Sequence, residues 1–399
     1  MEKDKTVNDE TKIKTPETDI PEKTESDKTK ISEDKKSDDK ESKVSEEKKS
    51  DDKESSESDD NKSDGKSGKG VWYYSKKFIR FVCFFTILGV LMSICGYALM
   101  PKNNSKASGM PNEHSVGFYS QPPGSIDVFF VGNSNTYAAF SPVEMWREYG
   151  IQTYTSGVGF ETTVEAYTML VEMFKYHTPK AVVLETDCVF SERRGADTFG
   201  EAFEKLAYWE VPLLKYHNRW KDVKFGDMFK SPVYTWHSYS HGQYVSAEVQ
   251  PCRTVKPIIK TDFVEQMGPI SYFGLSSIIS LCKEKNVDLM FAYVPCIKSW
   301  KYQRHNAIKE IADANGIEFI DYNLMIDDIK LDWLKDTRDK GTHLNVYGAQ
   351  KVSKHMGERL VEKYSLKDLR DNKELSELWE KDYQDYLKQI KRTKQQSVN

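Results

Sequence analysis

Two runs of the chain are apolar at every position: Val128-Phe129-Phe130-Val131 and Ala181-Val182-Val183-Leu184. A strand with one face in water alternates apolar and polar residues. A strand without that alternation is buried on both faces, as in a parallel sheet covered by helices on each side. The β-branched and aromatic content of these runs suits such strands. Further short runs at 151–155, 288–294 and 317–320 read as strands of the same sheet. Segments of helical spacing separate them. Residues 162–177 place Ala166, Leu170, Met173 and Phe174 on one side, and 271–286, 302–315 and 348–364 are the other long helices. Ser141-Pro142-Val143-Glu144 is a helix start, with Ser as cap, Pro at the first position and Glu closing a capping box. Strand and helix alternate as in βαβ units, which predicts an α/β domain over 125–364.

The rest of the 399 residues lies outside that pattern. Residues 1–75 are dominated by Lys, Glu, Asp and Ser, and Lys-Lys-Ser-Asp-Asp-Lys-Glu-Ser occurs at 35–42 and again at 48–55. With so little apolar surface to bury, this tail is expected to be disordered. Its charges are mixed in sign, and the formal net charge is only −4, so nothing points to a nucleic-acid partner. Residues 81–100 carry no charge, and at about 1.5 Å per residue such a run spans roughly 30 Å, the thickness of a bilayer core. The long tail before it argues against a signal peptide. Lys76, Lys77 and Arg80 precede the run, Lys102 follows it, and Trp72, Tyr73 and Tyr74 sit at an interfacial position. The expectation is one transmembrane helix over 78–100, with the N-terminus cytoplasmic and the C-terminal domain extracellular. Residues 101–124, rich in Pro, Gly, Asn and Ser, read as a stalk. Residues from about 190 to 264 interrupt the strand–helix rhythm with Trp, Tyr, His and Arg, and read as an insertion over the sheet's active edge. Residues 365–399 read as a charged, amphipathic helical tail. Cys188, Cys252, Cys282 and Cys296 show no CxxC or metal spacing.

The run 126–136, Ile-Asp-Val-Phe-Phe-Val-Gly-Asn-Ser-Asn-Thr, ends the first strand in a polar turn. Gly132 lets the chain turn sharply, and Ser134 then stands at the strand's C-terminal edge, where open α/β sheets bind ligands. A serine hydroxyl becomes a nucleophile when a histidine takes its proton and a carboxylate holds that histidine. His343 lies in a polar loop after the last strand and before the last helix, which returns it to the same edge. Asp339, four residues earlier, can orient the ring; Asp336 is the other acid of the loop. The backbone N–H groups of Ser134 and Gly157 are the candidate donors to an oxyanion, each following a strand. Each of these residues also has a plain reading: a turn serine, a loop histidine, a solvated acid, a turn glycine. His237 and His241 are spaced i, i+4, but the Ser, Tyr and Gly around them argue against the helix that would make them a metal pair, so no metal and no cofactor is expected.

Gly132-Asn133-Ser134 after the first strand, Gly157 after the second and the Asp/His loop together resemble the SGNH (GDSL-type) hydrolase superfamily. Within it, the loop from Asp336 to Lys351 is similar to the Asp-Thr-x-Asp-x-Gly-x-His-Leu-Asn-x-x-Gly-Ala-x-Lys of membrane-anchored Gram-positive members. The phrases His217-Asn218-Arg219-Trp220 and 317–323 are similar to that group too. The resemblance implies a flavodoxin-like three-layer α/β/α sandwich, with Ser134 as nucleophile, His343 as base and Asp339 as its orienter. It implies a membrane-anchored serine esterase or O-acyltransferase acting on acyl, foremost acetyl, esters of cell-wall or extracellular polysaccharide. A multispanning acyltransferase is the partner such transferases resemble having. Three departures stand out: Asn133 replaces the usual Asp, Lys340 occupies the usual Asp position three before the histidine, and Glu185-Thr186-Asp187 replaces the stretch that supplies a third oxyanion donor as Asn. Either Thr186 or a backbone group serves there, or Asp187 points away, or activity is weak. The alternative is a non-catalytic SGNH-fold scaffold or polysaccharide-binding protein.

Overall fold

The computed structural model describes residues 68–191, 200, 203, 204, 206–208 and 211–396. Five strands form one sheet: β1 Val128–Gly132, β2 Thr153–Gly157, β3 Ala181–Glu185, β4 Asp288–Tyr293 and β5 Glu318–Asp321. Their order is β2-β1-β3-β4-β5, and every neighbouring pair is parallel. The helices, in chain order, are α1 Gly68–Leu99, α2 Ser134–Ala139, α3 Pro142–Tyr149, α4 Thr163–Met173, α5 Pro212–Tyr216, α6 Pro269–Glu284, α7 Tyr302–Asn315, α8 Val346–Tyr364 and α9 Lys373–Gln396.

Successive strand residues face opposite sides of the sheet, and here both sides are dry. Phe129, Val131, Val182 and Leu184 pack with Leu170 of α4, Ile278 of α6 and Ile308 of α7. Val128, Phe130, Ala181 and Val183 pack with Met145 of α3 and with Val352, Met356 and Leu360 of α8. Two cores on one sheet explain why 128–131 of β1 and 181–184 of β3 have no polar positions, and they make the three layers that the sequence predicts. Local signals set the helix ends. The Ser141 hydroxyl accepts from the Glu144 amide, and Gly150, at φ 68°, closes α3. Thr162 and Glu165 form a reciprocal capping box at the start of α4.

Several expected boundaries change. Residues 1–67, the bulk of the expected disordered tail, lie outside the described residues, but 68–75 belong to the helical backbone of α1. Residues 101–124 are no stalk: Met110, Val116 and Phe118 are buried in the first core, and Phe118 meets Phe129 edge-on at 5.6 Å. Three apolar anchors seat a segment whose Pro, Gly and Asn otherwise fix only turns. The C-terminal segment is helical, but it is docked rather than free. Trp379 of α9 stacks on Trp146 of α3 at 4.9 Å, and Tyr386 is fully buried. The described part of the 190–264 insertion crosses the sheet's C-terminal edge. The Tyr244 amide donates to the Tyr137 carbonyl (2.9 Å), Val346 to Ser246 (2.9 Å), and Gln250 to Thr337 (2.9 Å). The insertion is thereby laced between α2 and the loop that carries His343. The described cysteines are all free, and Cys188, Cys282 and Cys296 are buried.

Candidate active site

The strand order reverses direction between β1 and β3, and in open α/β sheets the cleft outside the strand ends at such a point is where ligands bind. Gly132 closes β1 at φ 144°, a conformation open to glycine. A Cβ there would also stand 2.6 Å from Thr136 Oγ1 and 3.0 Å from the Glu185 carbonyl oxygen. Asn133 is the N-cap of α2, its Oδ1 accepting from the Asn135 amide at 2.9 Å. Ser134 is therefore the first residue of a short helix rather than part of an open turn.

Ser134 and His343, 209 positions apart, meet with Oγ 2.8 Å from Nε2. On the other side of the ring, His343 Nδ1 lies 2.5 Å from Asp339 Oδ2. Asp339 Oδ1 accepts from the amides of His343 (2.6 Å) and Thr342 (3.1 Å), so one carboxylate fixes both the ring and its backbone. Nδ1 carries the proton toward the carboxylate, which leaves Nε2 to accept from the serine. Burial works against the charge on Asp339. The hydrogen bonds from His343 and the nearby Arg338 guanidinium outweigh it and hold the carboxyl below its ordinary range. Lys340 and Gly341 both take positive φ, at 61° and 91°, which absorbs the additional residue between acid and histidine. The loop is pinned at its neck: Thr337 Oγ1 accepts from the Gly341 amide (2.7 Å) and donates to the His343 carbonyl (3.0 Å). Asp336 is engaged elsewhere, accepting from Lys351 Nζ at 2.6 Å and from the Asp332 amide at 2.6 Å.

Gly157 ends β2 directly beside this turn. A Cβ on it would lie 2.8 Å from the Asn133 carbonyl oxygen and 3.1 Å from the Tyr137 ring. The absent side chain is what lets the strand approach Ser134. A cavity of about 320 Å³ opens here, lined by Tyr137, Gly157, Val158, Tyr239, Gln243 and Tyr244 among others. Tyr137 and Tyr244 have ring centroids 5.9 Å apart, and the Arg338 guanidinium lies over Tyr244 at 4.5 Å. Burial raises the Tyr137 phenol, with Arg338 and the Ser134 side chain acting the other way.

The side chains of Thr186 and Asp187 both have partners within the protein. Thr186 Oγ1 donates to the Ala292 carbonyl at 3.3 Å. Asp187 faces α2: it accepts from Asn133 Nδ2 (2.9 Å), Asn135 Nδ2 (3.0 Å) and the Tyr293 hydroxyl (2.9 Å), with Arg304 Nη1 at 3.5 Å. The carboxylate thus anchors the start of α2 through the side-chain amides of Asn133 and Asn135. Glu185, fully buried and next to Asp187, is pushed well above the usual carboxylate range, first by burial and then by that neighbour. Asn135, Tyr293 and Arg304 went unnoticed in the sequence because the contacts that define them span more than fifty positions.

The two spaced histidines come together without a helix. His237 and His241 both place Nε2 on Asp382 of α9, at 2.8 and 2.9 Å, and the His241 ring stacks on Trp379 at 3.8 Å. The three ligand atoms lie within 4.8 Å of one another, a set that could hold a metal ion. Two imidazole N–H donors on one carboxylate also satisfy it without one. Burial opposes the charge of Asp382, but the two imidazoles hold it below its ordinary range; burial pushes the His241 imidazole down.

No family model matches the chain, and no curated protein matches it in sequence. Solved structures similar to it include a lipolytic G-D-S-L-family protein from Desulfitobacterium hafniense (12% identity, 58% of this chain and 97% of that one, TM-score 0.31). Others are an acylhydrolase-type protein from Bacteroides fragilis (12%, 62% and 94%, TM-score 0.32) and a GDSL-like lipase from Bacteroides thetaiotaomicron (15%, 58% and 87%, TM-score 0.29).

Proposed function

We propose that the chain is a membrane-anchored SGNH-type serine esterase or O-acyltransferase. Its outer domain acts on acyl, foremost acetyl, esters of cell-wall or extracellular polysaccharide. The observation that carries the reading is the unbroken line from Ser134 Oγ to His343 Nε2 and from His343 Nδ1 to Asp339. His343 takes the hydroxyl proton as Ser134 attacks the ester carbonyl, and Asp339 stabilises the imidazolium that forms. The Ser134 and Gly157 amides receive the developing oxyanion. His343 then gives its proton to the departing alcohol, leaving Ser134 acylated. Water or a sugar hydroxyl attacks that ester next and loses its proton to His343, which passes it to Ser134 Oγ as the acyl–Oγ bond breaks and free acid or acylated sugar leaves. The tyrosines and Arg338 around the cleft offer ring faces and donors suited to a polyhydroxylated substrate. The helix Lys76–Leu99, long and apolar enough to cross a membrane, supports the anchored placement, and a multispanning acyltransferase would be the donor's source.

The test is reaction of the full chain, in detergent, with a fluorophosphonate probe and with p-nitrophenyl acetate, beside Ser134→Ala. Labelling and turnover are expected to depend on Ser134; their absence would sink the enzyme reading. A sugar acceptor in the same assay separates transfer from hydrolysis. Protease added to intact cells is expected to remove the domain after α1 and spare the N-terminal tail.

A second reading, a non-catalytic scaffold or polysaccharide-binding protein, draws on one feature. Thr186 and Asp187 are both committed to other partners, so the region after β3 adds no side-chain donor to the oxyanion site.

A further inference from the structure

We propose that residues 212–230 form a collar seated on the surface of the bilayer that α1 crosses. The inference rests on the reading of α1 as a membrane span and goes beyond it.

The described side chains of α1 from Lys76 to Cys95 are exposed, among them Phe81, Phe84, Ile87 and Leu91. Only the last turn enters the protein, with Gly96 and Ala98 buried. The structure that grips this turn is the 212–230 segment. A Cβ on Gly96 would stand 3.1 Å from the Leu213 amide nitrogen, so α5 crosses α1 in near-backbone contact. Arg219 Nη1 donates to the Leu99 carbonyl, one of those a helix end leaves open. The Tyr97 hydroxyl donates to the Lys230 carbonyl at 2.9 Å. These contacts fix the segment at the height where the apolar helix surface stops.

The same segment carries exposed aromatic side chains. Trp220 is 68% exposed, Phe225 80% and Phe229 75%. In water, large apolar groups exposed side by side, as Phe225 and Phe229 are, are uncommon and mark a contact. Phe225 and Phe229 lie edge-on at 5.8 Å, and Lys221 reaches over Trp220 at 5.2 Å. Lys224 and Lys230 flank the pair, with Lys230 Nζ also 3.1 Å from Asp227 Oδ1. Aromatic rings interleaved with lysines are the composition of a membrane–water interface: the rings sit among the headgroups and the ammonium groups meet lipid phosphates. Continuity with α1 selects the bilayer as occupant over a second protein. Leu214, Lys215, His217 and Asn218 of this segment also wall a cavity of about 390 Å³ whose other wall includes Val158, next to Gly157. A seated collar therefore holds the catalytic edge close to the membrane instead of at the end of a flexible tether.

The test reconstitutes the full chain in vesicles of phosphatidylcholine and phosphatidylglycerol brominated near the headgroup end of their acyl chains. Bromine quenches tryptophan at that depth. In a Trp72→Phe background the protein is expected to show shallow quenching that Trp220→Phe markedly reduces, and Phe225→Ser/Phe229→Ser to lower the quenching of Trp220 with unchanged circular dichroism. Carbonate extraction is run in parallel. A chain that resists extraction but shows equal quenching with and without Trp220 overturns the collar alone. A chain released by carbonate overturns both the span and the collar. Protection of the patch by a second copy, read as cross-linking in detergent without lipid quenching, overturns it as well.

Discussion

Asn133 donates its side-chain amide to Asp187 at 2.9 Å, 54 positions away, while its side-chain Oδ1 accepts from the Asn135 amide and caps the helix that begins at Ser134. One side chain thus ties the start of α2 to the end of β3. Asp187→Asn turns an acceptor shared by two amides and a phenol into a mixed group and frees that helix start. Misplacement of a reacting atom by an ångström costs on the order of 10²-fold in rate. A fall of about that size is expected in fluorophosphonate labelling and in kcat for p-nitrophenyl acetate, with KM little changed. Labelling at the wild-type rate would remove Asp187 from the positioning of Ser134.

Asp339→Asn keeps the size of the side chain but offers the ring an amide in place of a carboxylate. The imidazole then loses both its fixed tautomer and its counter-charge. A kcat lower by about 10⁴-fold is expected in the same assay. Asp336→Asn, which alters an acid bonded to Lys351 rather than to His343, is expected to keep kcat within about threefold and to act on stability alone.

Gly157→Ala places a methyl 2.8 Å from the Asn133 carbonyl oxygen, and that neighbour is backbone with little room to move. The strand end and the Ser134 turn must part by several tenths of an ångström. The expected result is a folded protein, by circular dichroism, whose acylation is slower by roughly 10- to 10²-fold. Gly132→Ala adds strain at φ 144°, so its main effect is on folding, about 1–3 kcal/mol in denaturant unfolding before the clash with Thr136 is counted.

The Asp382 clasp predicts a pH dependence of stability with a definite sign. Burial holds the His241 imidazole below its ordinary 6.5, so the folded state resists its protonation. That contribution is complete above about 6.5 and is lost as pH falls through the lower folded value. Asp382, also depressed, adds a second loss below its ordinary 3.8. The melting temperature of the wild type is expected to drop between pH 7 and pH 5 more steeply than that of His241→Gln. Asp382→Asn removes two charge-assisted hydrogen bonds from a buried site, an expected loss of about 2–3 kcal/mol at pH 7.

What was legible in the sequence follows from the range of the interactions involved. The runs 128–131 and 181–184 stood out because two dry faces leave no polar position, and the cap at Ser141 is local. The His343 loop was legible because its acid and histidine lie within one turn of chain. Asn133 and Asp187 read as departures from a pattern when each was considered alone. Together they are a hydrogen-bonded pair, and no local spacing reveals that. Phe118 was hidden in a stretch rich in turn formers; the amphipathic spacing of 365–399 was legible, but not that Trp379 packs on Trp146. Asp382 completes the two histidines from 141 positions downstream, beyond any periodicity.

The clasp also bears on the order in which the molecule is assembled during synthesis. Every strand, Ser134 and His343 leave the ribosome before α9 does. Until Trp379 and Asp382 arrive, His237 and His241 have neither ring nor carboxylate to rest on, and the stretch through Tyr244 that flanks the cleft has no backing on that side. The last described helix is therefore a completion signal. The edge that carries Ser134 and His343 reaches its final shape only once that helix has been made and has packed on α3.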